Sequence, residues 1–303
     1  MIKRWLFIAV LVCLPPTLAS QQQADAQAPT PTSNLVTTDR LVNAEAEPHN
    51  WLMYSGDYKS RRYSGLDQID KQNVSDLEVQ WIYQLQEPGR SGTTPLVVDG
   101  MMYITESPSS VIALDAESGR PFWRYDHPLP DELNFCCGPS NRGVAISGDR
   151  LFMSTMDAHV VALDAKTGSV IWNAEAGDPK DGYNKKAAPL VVKDKIITGI
   201  AGGEFGIRGF VDAYGAQTGD RIWRFNTIPG PDHPDNRTWE GDSWRTGGAP
   251  TWITGSYDPE LNLVYWGTGN PGPDYNGGVR VGDNLYSDSV VALDADTGEM
   301  EWY

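Results

Sequence analysis

The segment Ala113–Gly119 (ALDAESG), followed by Trp123, decides the fold because the chain repeats it. Each copy has a small residue first, a glycine at its end and a tryptophan four residues after that glycine. The other copies are Ala162–Gly168 with Trp172, Ala213–Gly219 with Trp223, and Ala292–Gly298 with Trp302. The first three tryptophans follow one another at intervals of about 50 residues, near the length of a four-stranded propeller blade, and the last interval is longer.

Each copy predicts a strand, a tight turn and a second strand. The aspartate that begins three of the turns can accept hydrogen bonds from its own backbone, and the glycine supplies a positive φ angle. We expect the repeated tryptophans to pack between neighbouring blades rather than to form a binding site. The sequence therefore predicts an all-β propeller, and we expect its four blades to be part of a longer ring.

The charge balance excludes some classes of partner. The 303 residues include 24 Lys and Arg against 40 Asp and Glu, a formal net charge of −16. This charge repels phosphate backbones and anionic membrane surfaces, so we expect no nucleic-acid partner. Three cysteines can form too few disulfide bonds to stabilise a chain of this length. Its stability must therefore come from a core built on the 40% apolar residues.

The first 26 residues have the pattern of a secretory signal peptide. Lys3 and Arg4 precede an apolar run that ends at Leu14, and small residues follow near Ala26. The run is shorter than the roughly 20 residues that span a bilayer, so we expect no transmembrane segment after the signal is removed. We predict a signal peptide at 1–26, a flexible lead-in at 27–48, the propeller at 49–303, and export to the periplasm.

Four motifs lie outside the repeats, and together they resemble one family. They are Cys136–Gly143, Gly202–Gly209, Trp239–Trp252 and Gly267–Pro273. Their order and spacing resemble the quinoprotein alcohol dehydrogenases, which are eight-bladed β-propellers that hold pyrroloquinoline quinone (PQQ) over a metal ion. The resemblance covers residues 50–303. It implies an enzyme that oxidises a primary alcohol by hydride transfer to the quinone, and it makes this chain about the first half of the ring.

The resemblance also implies cofactor-binding residues. In the family a disulfide between adjacent cysteines packs against one face of PQQ, a role that falls on Cys136 and Cys137. Trp252 matches the tryptophan that stacks on the other face, and Arg142 matches the arginine that meets the quinone oxygens. The alternatives are two small core residues, one more packing tryptophan and a surface arginine.

Metal ligands are implied in the same way. Glu204 and Asn270 offer a carboxylate and an amide oxygen, the hard ligands that Ca²⁺ or a lanthanide takes together with oxygens of the cofactor. Gly202 and Gly203 would let the backbone approach the PQQ carboxylates. The metal would act as a Lewis acid on the quinone carbonyl. Otherwise Glu204 is a solvated loop residue, and Asn270 and the glycines only form turns.

Some positions depart from the family pattern. Gly92 stands where the family commonly has glutamate, and Lys186 stands where it has threonine, so Lys186 either pairs with a PQQ carboxylate or points to solvent. The catalytic aspartate of the family would fall beyond Tyr303, and we expect no catalytic base and no alcohol oxidation by the isolated chain. His159 is expected to be a packing or surface residue.

The sequence supports two further expectations, about the electron acceptor and about an alternative function. The chain has no Cys-x-x-Cys-His motif, so electrons would leave to a separate acceptor such as a cytochrome c. A non-enzymatic propeller scaffold, similar to the outer-membrane assembly propellers, would share the blade repeat. It would have no use for Cys136, Cys137, Glu204, Trp252 and Asn270 together, and this set favours the enzyme.

Overall fold

Each repeat closes a four-stranded antiparallel sheet in the structure, a computed structural model in which residues 35–87 and 90–303 are described. The first sheet contains β1 (Leu96–Val98), β2 (Met101–Glu106), β3 (Ser110–Asp115) and β4 (Pro121–Asp126). The second contains β5 (Val144–Ser147), β6 (Arg150–Ser154), β7 (His159–Asp164) and β8 (Val170–Glu175). The third contains β9 (Leu190–Val192), β10 (Lys195–Gly199), β11 (Phe210–Gly215) and β12 (Arg221–Asn226). The fourth contains β13 (Ser256–Asp258), β14 (Leu263–Gly267), β15 (Val290–Asp294) and β16 (Met300–Trp302).

Strands pair in sequence order within every sheet, as in propeller blades. The repeat occupies the third strand, the turn and the fourth strand, and its first alanine pairs with its tryptophan, as Ala113 does with Trp123. Buried third-strand positions are apolar, Val111 and Leu114 being 0% and 1% exposed. The prediction of an all-β propeller is confirmed.

The turns have the predicted chemistry. Asp115 Oδ1 accepts from the backbone N–H groups of Glu117 and Ser118 at 3.0 and 2.8 Å, and Gly119 has a φ angle of 70°. The second and fourth copies repeat this arrangement. The third copy has Gly215 in place of the aspartate, and Thr218 N–H donates to the Gly215 carbonyl instead.

Repeated tryptophans join neighbouring sheets, as predicted. Trp123 Nε1 donates to the Ala165 carbonyl at 3.2 Å and lies against Gly168, where an added Cβ would come within 2.5 Å of the indole. Trp172 and Trp223 do the same with the next repeat. Trp302 is 49% exposed and packs against Tyr265 of its own sheet.

The segment before the first sheet differs from the predicted flexible lead-in. Residues 1–34, which include the predicted signal peptide, lie outside the described residues. Residues 35–48 carry α1 (Thr38–Val42) and a 3₁₀ helix (Ala44–Ala46), and they bury Val36 and Leu41 in the core. Val36 also pairs with Gly148 through backbone hydrogen bonds. These apolar contacts order a segment whose polar composition had suggested flexibility.

Further helices are single 3₁₀ turns in loops, at Val74–Asp76, Pro179–Asp181, Gly203–Phe205, Pro234–Thr238, Ser243–Arg245 and Gly277–Val279. Among the described residues, no helix is long and apolar enough to cross a membrane. The loops that lead into the first strands of successive sheets carry Arg142, Lys186 and Trp252. Because successive blades place these loops at equivalent positions, residues far apart in sequence meet on one side of the sheets.

Candidate cofactor site

A cavity of about 280 Å³ lies among these loops, and seven of the eight residues predicted for the site line it. Its lining residues are Arg90, Cys136, Cys137, Ser140, Arg142, Asn184, Lys186, Ala201, Gly202, Glu204, Trp252 and Asn270. The eighth predicted residue, Gly203, is buried and does not line the cavity, and a Cβ there would lie 2.9 Å from Pro250. Its lack of a side chain therefore leaves room for the ring of Pro250.

The cysteine pair forms a tight turn at one side of the cavity. Cys137 has a φ angle of 66° and Gly138 one of 82°, so two successive residues are in the left-handed region. Both cysteines are free thiols in the structure, and the predicted disulfide is not formed there. The hydrogen bond to Cys137, burial and the hydrogen bond to Glu204 raise the pKa of the Cys136 thiol to about 12.

Two cationic side chains hold this turn. Lys186 Nζ donates to the Cys136 carbonyl, and also to the Gly138 carbonyl at 3.3 Å. Arg90 Nη1 donates to the intervening Cys137 carbonyl at 3.2 Å. Burial lowers the pKa of Lys186. From the sequence, Lys186 was expected either to pair with a cofactor carboxylate or to point to solvent. In the structure its ammonium group binds the backbone of the cysteine turn instead.

Arg142 is held by backbone hydrogen bonds to the loops that precede the first and third sheets. Its N–H donates to the Lys186 carbonyl at 3.1 Å, and its own carbonyl accepts from Thr94 N–H at 3.0 Å. The guanidinium lies over Trp252, with Cζ 5.2 Å from the ring centroid. Its Nη1 atom is buried and has no hydrogen-bond partner among the described residues. The side chain thus presents an unused donor at the cavity.

Trp252 differs from the other tryptophans of its segment. Trp239 and Trp244 are 3% and 9% exposed and form a small apolar cluster with Ile228 and Ala249. Trp252 is 42% exposed and lines the cavity. The preceding Thr251 fixes its backbone, because the N–H of Thr251 donates to the Ile200 carbonyl at 2.7 Å.

Glu204 and Asn270 reach the cavity from different sheets. Glu204 lies in the 3₁₀ turn between β10 and β11, after Gly202, whose φ angle is 116° and where a Cβ would lie 2.1 Å from the Gly182 carbonyl oxygen. Asn270 follows β14, and its Nδ2 donates to Asp274 Oδ1 at 2.8 Å. This bond leaves the amide oxygen of Asn270 as the atom that can bind a cation.

The lining residues carry more positive than negative charge. Arg90, Arg142 and Lys186 are cationic, and Glu204 supplies the carboxylate. Such a surplus suits an anionic ligand. Four further lining residues were not predicted from the sequence: Arg90, Ser140, Asn184 and Ala201. Asn184 could have been predicted, because it lies two residues before Lys186 in a segment that resembles the family pattern. The sequence around Arg90 has no feature that predicts a role in the site.

Known proteins resemble this chain over most of its length. Residues 51–303 match the family described as PQQ: glucose/ethanol/alcohol dehydrogenase, beta-propeller domain. The quinoprotein alcohol dehydrogenase PedH of Pseudomonas putida is 40% identical over 286 residues, 88% of this chain and 48% of the relative. The lanthanide-dependent methanol dehydrogenase of Methylorubrum extorquens is 38% identical over 294 residues, 89% of this chain and 48% of the relative.

Solved structures agree with this similarity. The quinohemoprotein alcohol dehydrogenase ADHIIG from Pseudomonas putida superposes with a TM-score of 0.82 at 40% identity, covering 89% of this chain and 42% of that one. A europium-containing methanol dehydrogenase gives a TM-score of 0.81 at 37% identity, covering 87% of this chain and 50% of that one. The chain thus spans about half or less of the length of these proteins.

Proposed function

Because the chain belongs to the β-propeller family of PQQ-dependent alcohol dehydrogenases, we propose that it forms the binding site for PQQ and a metal ion in an enzyme that oxidises a primary alcohol. The observation that carries the proposal is the cavity. Adjacent cysteines, an arginine over an exposed tryptophan, a carboxylate and an amide oxygen line it together. This set supplies flat faces for a planar ring and hard ligands for a cation.

The residues present fit such a cofactor. Arg142 Nη1 and Asn184 Oδ1 are buried polar atoms without partners among the described residues, and both side chains line the cavity. Buried polar atoms normally have a partner, so a polar ligand would satisfy them. The cationic surplus matches the carboxylates of PQQ.

The chain's own residues would bind and orient the cofactor. The bound cofactor would supply the acceptor for the hydride of the alcohol carbon, and the metal would supply a Lewis acid. Trp252 supplies one aromatic face, and the cysteine turn supplies a sulfur surface for the opposite face. Arg142 places a permanent cation where negative charge develops on reduction.

Glu204 and Asn270 are the proposed metal ligands. A carboxylate and an amide oxygen are hard donors, which suit Ca²⁺ or a lanthanide better than a soft metal. Glu204 lies close enough to the Cys136 thiol to contribute to the raised pKa of that thiol. Oxidation of the cysteine pair by a mild oxidant, with loss of both thiol protons and two electrons to that oxidant, would leave the carboxylate to the cation.

We also propose that the protein is exported to the periplasm. An exported protein in the periplasm would meet conditions in which a disulfide persists. Electrons would pass from the reduced cofactor to a separate acceptor such as a cytochrome c.

A binding experiment tests the proposal on the whole chain. PQQ is added with and without Ca²⁺ or La³⁺, and tryptophan fluorescence quenching and retained PQQ absorbance are measured. We expect the cation to strengthen PQQ binding by about tenfold or more in the wild type, and Glu204→Gln to abolish that increase. Glu260→Gln, an exposed glutamate outside the cavity, is the matched control. PQQ binding that is absent, or equally strong without the cation, contradicts the proposal and favours a non-enzymatic scaffold.

A further inference from the structure

A second group of possible ligands lies outside the cofactor cavity. His127 directly follows β4, and Asp157 and His159 lie at the turn between β6 and β7. The cluster therefore joins the first sheet to the second. His127 and Asp157 are 8% and 6% exposed, and the side chain of His159 is 23% exposed.

One carboxylate faces both imidazole rings. His127 Nε2 lies 3.1 Å from each oxygen of Asp157, and His159 Nδ1 lies 3.2 Å from Asp157 Oδ2. One ligand atom from each of the three residues lies within 4.8 Å of the others. In tetrahedral zinc sites, bonds of about 2.0 to 2.2 Å place neighbouring ligand atoms roughly 3.3 Å apart. The separations of 3.1 and 3.2 Å from the Asp157 oxygens are close to this value, and the two imidazole nitrogens lie within 4.8 Å of each other.

We propose that His127, Asp157 and His159 form a Zn²⁺-binding site that links the first two sheets. Two imidazole nitrogens and a carboxylate oxygen are donors that zinc prefers, and with three protein ligands one position is left for water. The partial exposure of His159 gives an ion access to the site. The three residues do not line the cofactor cavity, so this site is separate from Glu204 and Asn270.

Neighbouring hydroxyl groups support the arrangement. Tyr125 Oη lies 3.0 Å from His127 Nδ1. With zinc on Nε2, Nδ1 carries the proton and donates to this hydroxyl, the type of outer contact that fixes a metal-binding histidine. Thr155 Oγ1 donates to Asp157 Oδ1. Zinc binding would displace the Nδ1 proton of His159, which in the present structure faces the Asp157 carbonyl at 3.0 Å.

Cobalt spectroscopy on the whole chain, without PQQ, tests the proposal. Co²⁺ is added to wild type and to a Cys136→Ser/Cys137→Ser variant, so that thiolate binding is excluded. We expect a visible d–d band that saturates at one equivalent and is removed by Zn²⁺. His159→Gln and Asp157→Asn should weaken Co²⁺ binding on the order of 100-fold, and Tyr125→Phe about tenfold.

His233→Gln is the matched control, because this histidine lies elsewhere and its side chain is 47% exposed. It should bind Co²⁺ as the wild type does. Circular dichroism confirms that each variant is folded, and His159→Gln is the informative change because that side chain is not fully buried. A band that persists in folded His159→Gln, or no saturable band in the wild type, shows that the cluster is only hydrogen-bonded. Neither result depends on PQQ binding or on Glu204.

Discussion

Lys186 shows how a single residue that lines the cavity can also hold the cysteine turn in place. Its ammonium group donates to the carbonyls of Cys136 and Gly138, and Arg90 donates to that of Cys137. All three carbonyls of the cysteine turn therefore accept from a cation. A turn with Cys137 at a positive φ is costly, and these charge-assisted bonds offset part of that cost.

Replacement of Lys186 should loosen the cysteine turn. Lys186→Met keeps the length of the side chain and loses the donor, so the two carbonyls lose charge-assisted bonds worth about 1.5 to 3 kcal/mol each. Relief of the buried charge offsets much of this loss, and we expect the free energy of unfolding to fall by no more than about 2 kcal/mol. PQQ binding should weaken about tenfold and alkylation of reduced Cys137 should accelerate.

Lys166→Met, at an exposed lysine in a repeat turn, is the control for the loss of one charge. Denaturant unfolding, PQQ titration and timed alkylation are the measurements. If Lys186→Met alkylates and binds PQQ like Lys166→Met, the ammonium group does not hold the turn.

The cysteine pair should oxidise when the protein is exposed to air or a mild oxidant. The two thiols belong to adjacent residues and are free in the structure, so a disulfide between them requires only local rearrangement. Mass spectrometry of the unreduced chain should show the loss of two hydrogens in the peptide that contains both cysteines. Cys137→Ser should not lose them. Two alkylatable thiols in an oxidised, folded sample would contradict this prediction.

At the scale of elements, the repeat explains why the fold was predictable and parts of the site were not. Asp115, Gly119 and Trp123 each make local or adjacent-blade contacts, so their spacing in the sequence reports the structure directly. Trp81 packs on Gly119 as the repeat tryptophans pack on later glycines, yet it lies outside any repeat and was missed.

Predicting the site required knowledge of contacts between residues that are far apart in the sequence. The resemblance marked Cys136 and Trp252, but the roles of Arg90 and Lys186 follow from contacts across 47 and 50 residues of sequence. The His127, Asp157 and His159 cluster likewise forms only when two sheets meet, at a separation of 30 residues. Neither kind of contact leaves a periodic pattern in the chain.

A glycine substitution separates turn strain from tryptophan packing. Gly168→Ala combines a φ angle of 73° with a Cβ only 2.5 Å from Trp123. Gly148→Ala has a φ angle of 61°, but its Cβ meets nothing within 4 Å. Positive φ alone should cost about 1 kcal/mol in both. Displacement of the indole should add roughly 1 to 3 kcal/mol in Gly168→Ala.

Denaturant unfolding of the two variants measures this difference. Near-ultraviolet circular dichroism should change more in Gly168→Ala, because the Trp123 ring must move. Equal losses of stability in the two variants would mean that the indole does not hold the sheets together.

At the scale of the whole molecule, a buried polar network lies in the third sheet. Asp212 is 0% exposed and accepts from Arg224 at 2.6 and 2.7 Å and from Tyr214 Oη at 2.7 Å. Lys185, also 0% exposed, donates to the Gly199 carbonyl at 2.8 Å and lies 5.6 Å from the Phe210 ring. Asp212 is hydrogen-bonded to Arg224 and Tyr214. Among the described residues, the ammonium group of Lys185 contacts the Gly199 carbonyl and the rings of Phe210 and Tyr214 instead.

Lys185 should make the stability of the protein depend on pH. Burial lowers its pKa to about 7, from an ordinary value of 10.5, and Asp212 opposes this only in part. Between these two values the unfolded chain binds a proton that the folded protein does not, so the free energy of unfolding should rise with pH. The slope should reach roughly 1.4 kcal/mol per pH unit within the window. Below the lower value both states are protonated and the full cost of burying the charge remains.

Lys185→Met should remove this slope, since methionine fills a similar volume without a titrating group. We therefore expect the variant to be more stable than the wild type near pH 7, with the difference shrinking as the pH rises. Urea unfolding at pH values from about 7 to 9 measures this difference, because unfolded tyrosines remain largely protonated there. Lys180→Met, at an exposed lysine, should keep the wild-type slope. Parallel pH profiles for wild type and Lys185→Met would show that Lys185 stays charged inside the fold, with its cost met by Asp212 and the Gly199 carbonyl.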